Sequence, residues 1–544
     1  LMGPTIKGLS ERISYLKALG ITYLHLMPLY DSPEGDSDGG YAVSDYRTVN
    51  PSLGTLDELK HLSEQLHQAG IRLILDFVFN HTSDEHAWAV AAREGDSRFQ
   101  NYYYLFDDRT LPDQYEQNLR EIFPQVRRGS FTFDEALQKW VWTTFNSFQW
   151  DLNYANPDVF NAITSEMLFL ANIGCDALRL DALAFIWKQM GTDCENQPKA
   201  HTLIQAFNCC LQIAAPSVVF KSEAIVHPDE VLKYVRKDEC QLSYNPLLMA
   251  LLWNSLATRK TRLLTRSMQK SFSISDECAW VNYVRCHDDI GWTFDDSVAR
   301  DLGINPHDHR YFLNQFYTGR FEGSFAKGVP FAENPSNGDC RVCGSLASLC
   351  GLETAIQAGD NDAAELAFKR MMLLYGVVFS IGGIPLIYAG DELALCNDYR
   401  YREHPGKKHD DRWVNRIATT TSDISLVMNS GRADTPEDRF KQRMFAAMQK
   451  LVSVRKANSI LGTGKTHIIE TGNQHCFGFL RHHTDGKRLL VVSNFSERVQ
   501  QVNSGVMAAT GHKNGTDLLS DQPVNGSDNL TLQPYQQLWV LCSV

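Results

Sequence analysis

The chain reads as an α/β protein: a (β/α)8 TIM-type barrel with two long loop insertions and a C-terminal antiparallel β domain. Three observations predict this. Short apolar segments alternate with amphipathic helical segments up to about residue 460, which is the signature of a parallel α/β sheet. Four of the apolar segments turn abruptly ionisable at their ends. In a parallel barrel the C-terminal rim is where strands turn polar and substrates bind. Beyond residue 460 the pattern changes to short alternating strands.

Taken in order, residues 8–19 carry apolar residues at helical spacing and Gly20 stops them. Ile21 to Met27 is a strand ended by Pro28, and residues 55–69 form an amphipathic helix stopped by Gly70. Ile71 to Phe79 is a near-continuous apolar strand, as a sheet covered on both faces requires. The alternation resumes with a helix over Val159 to Ile173, a strand over Asp176 to Leu180, a helix over His201 to Ala214 and a strand over Val218 to Ser222. It continues with helix 228–237, a short strand near Leu242, helix 246–258, strand 280–286, helix 362–375 and the apolar run Val377 to Ala389. The C-terminal strands are His475 to Leu480, Leu489 to Phe495 and Gln537 to Leu541. The domain plan is barrel over 1–81, an inserted domain over 82–155, barrel over 156–289, a second inserted loop domain over 290–355, the barrel end over 356–458 and the β domain over 459–544. Long insertions in a compact domain are usually functional, and both follow strands that end in ionisable residues.

Composition narrows the function. The 544 residues suit a large barrel with additions, and 43% hydrophobic content is that of a globular protein. A net charge of −12, dispersed rather than blocked, and the absence of a Lys/Arg-rich run argue against a nucleic-acid partner. No apolar run approaches the ~20 residues a bilayer span needs. The 13 cysteines, Cys209-Cys210 and the Cys340/Cys343 pair among them, build no repeated ligand set. They read as buried reduced thiols in a cytoplasmic protein, with secretion left open.

The four strand ends are Asp76-Phe-Val-Phe-Asn-His81, Asp176-Ala-Leu-Arg179-Leu-Asp181, Phe220-Lys-Ser-Glu223 and Val284-Arg-Cys-His287-Asp288-Asp289. Charge is expensive to bury without a partner. Three carboxylates delivered from three strands therefore suggest acid/base and nucleophilic chemistry. Each alone is more often a cap or a surface ion-pair member.

These segments, in this order, resemble the four signature strands of the α-amylase superfamily (glycoside hydrolase family 13). Five further stretches are similar to its sucrose-acting amylosucrase group: Ser37-Asp-Gly-Gly-Tyr-Ala-Val43, Trp142 to Tyr154, Phe185-Ile-Trp-Lys-Gln-Met-Gly191, Lys221-Ser-Glu-Ala-Ile-Val-His-Pro228 and His287-Asp-Asp-Ile-Gly-Trp-Thr-Phe294. The resemblance implies Asp181 as nucleophile, Glu223 as acid/base and Asp288 as the third carboxylate, gripping sugar hydroxyls. Arg179 lies two residues before Asp181, on the same face of the strand, and is expected to keep it ionised. His81 and His287 match the histidines that bind the glucosyl unit, and Tyr41 and Phe145 are expected to stack on its ring. Asp38 and Arg412 match a salt bridge at the pocket floor that excludes longer glucans. Arg120, Asp289, Arg310 and Arg341 match fructosyl and acceptor subsites.

The implied activity is retaining transfer of glucose from sucrose to an α-1,4-glucan. Sucrose and the glucan are the partners, with no cofactor, no metal, no nucleic acid and no membrane, as a monomer or homodimer. A sucrose hydrolase shares every catalytic residue, since a tenfold shift between water and sugar acceptors takes only ~1.4 kcal/mol. The three acceptor arginines favour transfer. A non-catalytic carbohydrate-binding protein would be expected to have lost one of the three carboxylates. One departure from the family is that its first barrel strand has no room before residue 8, so the start at Leu1 reads as a truncated frame. A seven-stranded barrel leaves unpaired edges, which predicts a chain that is unstable or inactive without that segment.

Overall fold

The computed structural model describes residues 5–122, 127–334, 338–429 and 431–542. Seven parallel strands follow one another in chain order: β1 (Tyr23–Leu26), β2 (Arg72–Val78), β3 (Ala177–Asp181), β4 (Val219–Ser222), β5 (Leu242–Tyr244), β6 (Ala279–Tyr283) and β7 (Ile384–Leu386). Helices connect them, so the sheet is that of a (β/α) barrel. The central strands read as apolar runs because both faces are covered. Leu73, Leu75, Phe77 and Val78 are at most 1% exposed. β1 and β7 are the two edges of the sheet; Tyr23 is exposed and their other residues are only partly buried.

Most expected elements stand within a few residues. The helix expected over 8–19 is instead two, Ile6–Ser10 and Ile13–Leu19. The chain turns at Glu11 and Arg12, where the Arg12 guanidinium reaches the Thr419 carbonyl at 2.9 Å. The run from Val377 to Ala389 divides too: Asn361–Ser380 is one helix, and a Gly382-Gly383 turn leads into β7. Gly382 has φ +103°, and a Cβ there would lie 2.1 Å from the Arg481 Nη1. That contact is where the C-terminal sheet docks. Arg481, 2% exposed, donates to the carbonyls of Ile381 and Ile460 at 3.2 and 2.9 Å. The C-terminal sheet has six antiparallel strands rather than three; the additional ones are short, and Gly515 and Pro523 hide their pattern.

The first insertion folds into a three-stranded sheet of Leu105–Phe106, Lys139–Trp142 and Phe131–Asp134. It returns to the rim through His81–Ser83 paired with Gln149–Asp151. The second contains helices Asp296–Asp301 and Pro306–Tyr317 and the hairpin of Val329–Phe331 with Arg341–Cys343. All 13 cysteines are free and most are buried. No helix among the described residues is long and apolar enough to cross a membrane.

Candidate active site

The strand register builds the site's base. Asp76, Arg179 and Lys221 stand side by side on β2, β3 and β4. They form a charged layer where barrel interiors usually hold Val, Ile and Leu. A residue two positions further along a strand points the same way, so Asp181 and Glu223 lie above Arg179 and Lys221. Arg179 is 1% exposed and bridges the layers. Its Nη1 donates to Asp76 Oδ1 at 2.8 Å, to Asp181 Oδ1 at 2.6 Å and to Tyr41 Oη at 3.2 Å. Its Nη2 pairs with Glu223 Oε1 at 2.8 Å. The Ala182 amide, on a residue at φ +51°, donates to Glu223 Oε2 at 3.3 Å. A left-handed alanine is strained, and such strain collects at functional sites.

One guanidinium thus holds both carboxylates expected to react. Burial pushes Asp181 up to about 6, against the opposing charge of Arg179. Burial also drives Glu223 well above the usual carboxylate range, with the Asp181 and Asp288 charges adding to it. Burial outweighs the charge of Arg179 at Asp181, while that charge still favours the ionised carboxylate, in the direction expected of it. The two carboxyls are pushed apart in the direction acid/base chemistry needs, with Glu223 driven further toward its protonated form than Asp181.

Burial would raise Asp288 as well, but the positive charges of Arg412, Arg416 and Arg179 hold it below the usual range. His287 Nε2 lies 3.2 Å from Asp288 Oδ2 and 2.9 Å from Tyr41 Oη. Burial lowers His287 to about 3, so it stays neutral. Arg412 Nη2 meets Asp38 Oδ1 at 2.9 Å, and its Nη1 is 3.5 Å from Asp288 Oδ1. Asp410 orients Arg412 through contacts of 2.8 and 2.9 Å. His81 Nε2 faces Gln149 Nε2 at 3.1 Å, and Gln149 reaches Asp38 Oδ2 at 3.3 Å. The Tyr41 ring stacks on His287 at 5.6 Å, and the Phe145 ring lies 5.3 Å from His81.

Asp38, Tyr41, His81, Phe145, Arg179, Asp181, Glu223, His287, Asp288 and Arg412 are thus linked in one chain of contacts. The subsite residues sit differently. Arg120 is 55% exposed in its side chain and held bidentately by Glu195 at 3.0 Å. Arg310 donates to the carbonyls of Trp292 and Phe294 and pairs with Asp296 at 2.5 Å. Arg341 stands 3.5 Å from Asp289. Each of these three arginines thus has an acidic partner within the protein.

Sequence reasoning did not single out Asp76, Lys221, His25 or Arg416. Asp76 and Lys221 carry a visible signal, a charge inside an apolar strand that must find a partner. Lys221 Nζ is 3.4 Å from His25 Nδ1, and His25 Nε2 is 3.5 Å from Asp76 Oδ2. Two clusters of candidate metal ligands occur among the described residues. Cys286, His287 and Asp288 belong to the site above; in the other cluster Asp229 and Asp295 already pair with the Lys270 ammonium, and His227 stands beside both carboxylates.

Residues 3–310 match the catalytic domain of alpha amylase. The chain belongs to the alpha-amylase family. Residues 468–541 of this family member match the amylosucrase C-terminal domain. Among curated relatives, it is 26% identical over 547 residues to a trehalose synthase of Thermus thermophilus, covering 97% of this chain and 52% of that protein. It is 32% identical over 396 residues to a trehalose synthase/amylase of Mycolicibacterium smegmatis, covering 72% and 60%. The chain thus spans little more than half the length of these two relatives. A solved trehalulose synthase in complex with Tris superposes with a TM-score of 0.71 at 20% identity, covering 99% of this chain and 95% of that one.

Proposed function

We propose that this alpha-amylase family member is a retaining glucosyl transferase that takes its glucosyl group from sucrose. The observation that carries the reading is the single buried guanidinium that contacts both Asp181 and Glu223, with burial driving Glu223 further toward its protonated form than Asp181. Retaining enzymes need such a pair about 5–5.5 Å apart, one carboxylate as nucleophile and one acid as proton donor. Asp181 attacks the anomeric carbon, the glycosidic bond breaks, and Glu223 gives its proton to the departing fructose oxygen. The resulting ester between Asp181 and glucose is then opened by an acceptor hydroxyl that surrenders its proton to Glu223. Asp288, His81 and His287 hold the glucosyl hydroxyls, and Tyr41 and Phe145 pack its ring. The Asp38–Arg412 pair closes the pocket floor behind a single sugar unit.

The favoured acceptor is the 4-hydroxyl of an α-glucan, a reading supported by the amylosucrase-type C-terminal domain. A second reading has a specific observation behind it. Arg120, Arg310 and Arg341 are tied to Glu195, Asp296 and Asp289, which leaves fewer free donors for a glucan and favours water or the released fructose as acceptor. Incubation with sucrose alone, beside an Asp181→Asn control, separates the readings. Fructose in excess of glucose together with α-glucan supports polymerising transfer. Equal fructose and glucose supports hydrolysis, and sucrose isomers support return to fructose. No sucrose consumption by a folded protein overturns the proposal.

A further inference from the structure

Arg416 is, with Lys221, one of the buried cations of the site that sequence reasoning did not single out. Its side chain is 2% exposed. Its Nε donates to the His287 carbonyl at 3.0 Å. Its Nη2 faces Asp288 Oδ1 at 3.8 Å and its Nη1 faces Asp410 Oδ2 at 3.6 Å. Both distances are ion pairs rather than hydrogen bonds, and both Nη atoms are buried without a hydrogen-bond partner. The guanidinium plane lies near the Trp413 ring, 5.3 Å from its centroid. Gly39, at φ +70°, also packs close, since a Cβ there would stand 3.0 Å from Nη1.

Three chain segments therefore converge on this one side chain: the 37–41 loop bearing Asp38 and Tyr41, the strand end bearing His287 and Asp288, and the 410–416 segment bearing Arg412. A buried guanidinium with two unsatisfied arms is an expensive feature to keep for packing alone. Arg412 pairs with Asp288 while also engaged by Asp38 and Asp410. Arg416 approaches the same Asp288 oxygen at 3.8 Å through its Nη2.

We propose that Arg416 is a positioning residue, which fixes the His287 backbone and aims the Asp288 carboxylate at the glucosyl hydroxyls. It acts through Asp288 without touching the sugar, and this rests on the reading of Asp288 given above. A lysine keeps the charge but cannot both donate to the His287 carbonyl and face Asp288, because it lacks the planar fork. A methionine keeps the stem alone.

The test is a double-mutant cycle in the full chain, with Arg416→Lys, Arg416→Met, Asp288→Asn and the Arg416→Met/Asp288→Asn double variant. Turnover is followed on sucrose and on α-glucosyl fluoride, with melting temperatures for each variant. Arg416→Met is expected to lose roughly a hundredfold in kcat and Arg416→Lys to recover part of it. In the Asp288→Asn background the methionine substitution is expected to add little, because the group it aims is already neutralised. Parental turnover in a folded Arg416→Met or Arg416→Lys protein overturns the proposal, as does a loss that adds fully to that of Asp288→Asn. Full activity in Asp288→Asn alone, or no turnover by the parent on either donor, sinks the reading of the site itself and the positioning role with it.

Discussion

Replacing Arg179 perturbs the site where its chemistry is concentrated. The side chain has no solvent to fall back on, and it compensates Asp76, Asp181 and Glu223 together. With Asp181 at about 6, about nine-tenths of it is ionised at pH 7. Removing a cation 2.6 Å away withdraws at most about 6 kcal/mol of Coulomb stabilisation at an effective dielectric of about 20. Water entering the vacated space offsets about half of that, leaving an upward shift of about two pKa units, or about 3 kcal/mol. The ionised fraction of the nucleophile at pH 7 then falls to about one-tenth. Glu223 loses the same opposing charge and rises too, so the whole bell of kcat/KM against pH moves to the alkaline side. These limits belong to the coupled pair rather than to either residue. Arg179→Met is expected to lose roughly tenfold at pH 7 from ionisation, recoverable near pH 9, and a further hundredfold or so from lost orientation that no pH restores. It also leaves Asp76 buried with less compensation, a loss of about 3–5 kcal/mol. Arg179→Lys, which keeps the charge, is expected to shift the profile less and to melt higher. The assay is fructose release from sucrose between pH 5 and pH 9. An acid limb that stays near 6 in a folded Arg179→Met protein refutes the reasoning.

Other perturbations have equally definite outcomes. Asp38→Ala removes the Arg412 partner at 2.9 Å and should open the pocket floor, raising cleavage of maltooligosaccharides relative to sucrose; an unchanged substrate ratio contradicts a closing role. Asp391 is buried and pushed up to about 7. Because its folded value exceeds its unfolded one, the stability it contributes is present below about pH 4 and lost as pH rises to about 7, by at most ~4 kcal/mol. Asp391→Asn, which still accepts from Tyr375, should flatten that part of a melting-temperature profile. Lys221 has the opposite sign: burial and the charge of Arg179 lower it to about 7, so the folded state binds fewer protons and stability rises between about pH 7 and pH 10. Lys221→Met should raise the melting temperature at pH 6 and change it little at pH 10.

The parts of the fold that follow from local pattern were legible in the sequence. The Arg72–Val78 strand could be read because a strand covered on both faces must be continuously apolar. The strand-end carboxylates could be read because charge at the end of such a run is out of place. Long-range closure was less visible. Nothing around Arg416 distinguishes it from a surface arginine; its burial is created by the 37–41 loop folding over it from almost four hundred residues away. Asp76 and Lys221 were written in their strands as charges among apolar neighbours, yet their meaning depends on the register that sets them beside Arg179. The engagement of Arg120 with Glu195 likewise depends on a fold-back between two loops that the sequence pattern does not show.

The central claim is that Asp181 carries the glucosyl group, and the most direct measurement is to trap it there. Glu223→Gln keeps the shape of the acid/base but cannot activate the acceptor. With α-glucosyl fluoride, whose leaving group needs little protonation, this variant should accumulate a covalent ester. Mass spectrometry of the digested protein should then show one added anhydroglucose unit on the peptide containing Asp181. The same unit on another residue, or none while the donor is consumed with inverted configuration, would contradict the account.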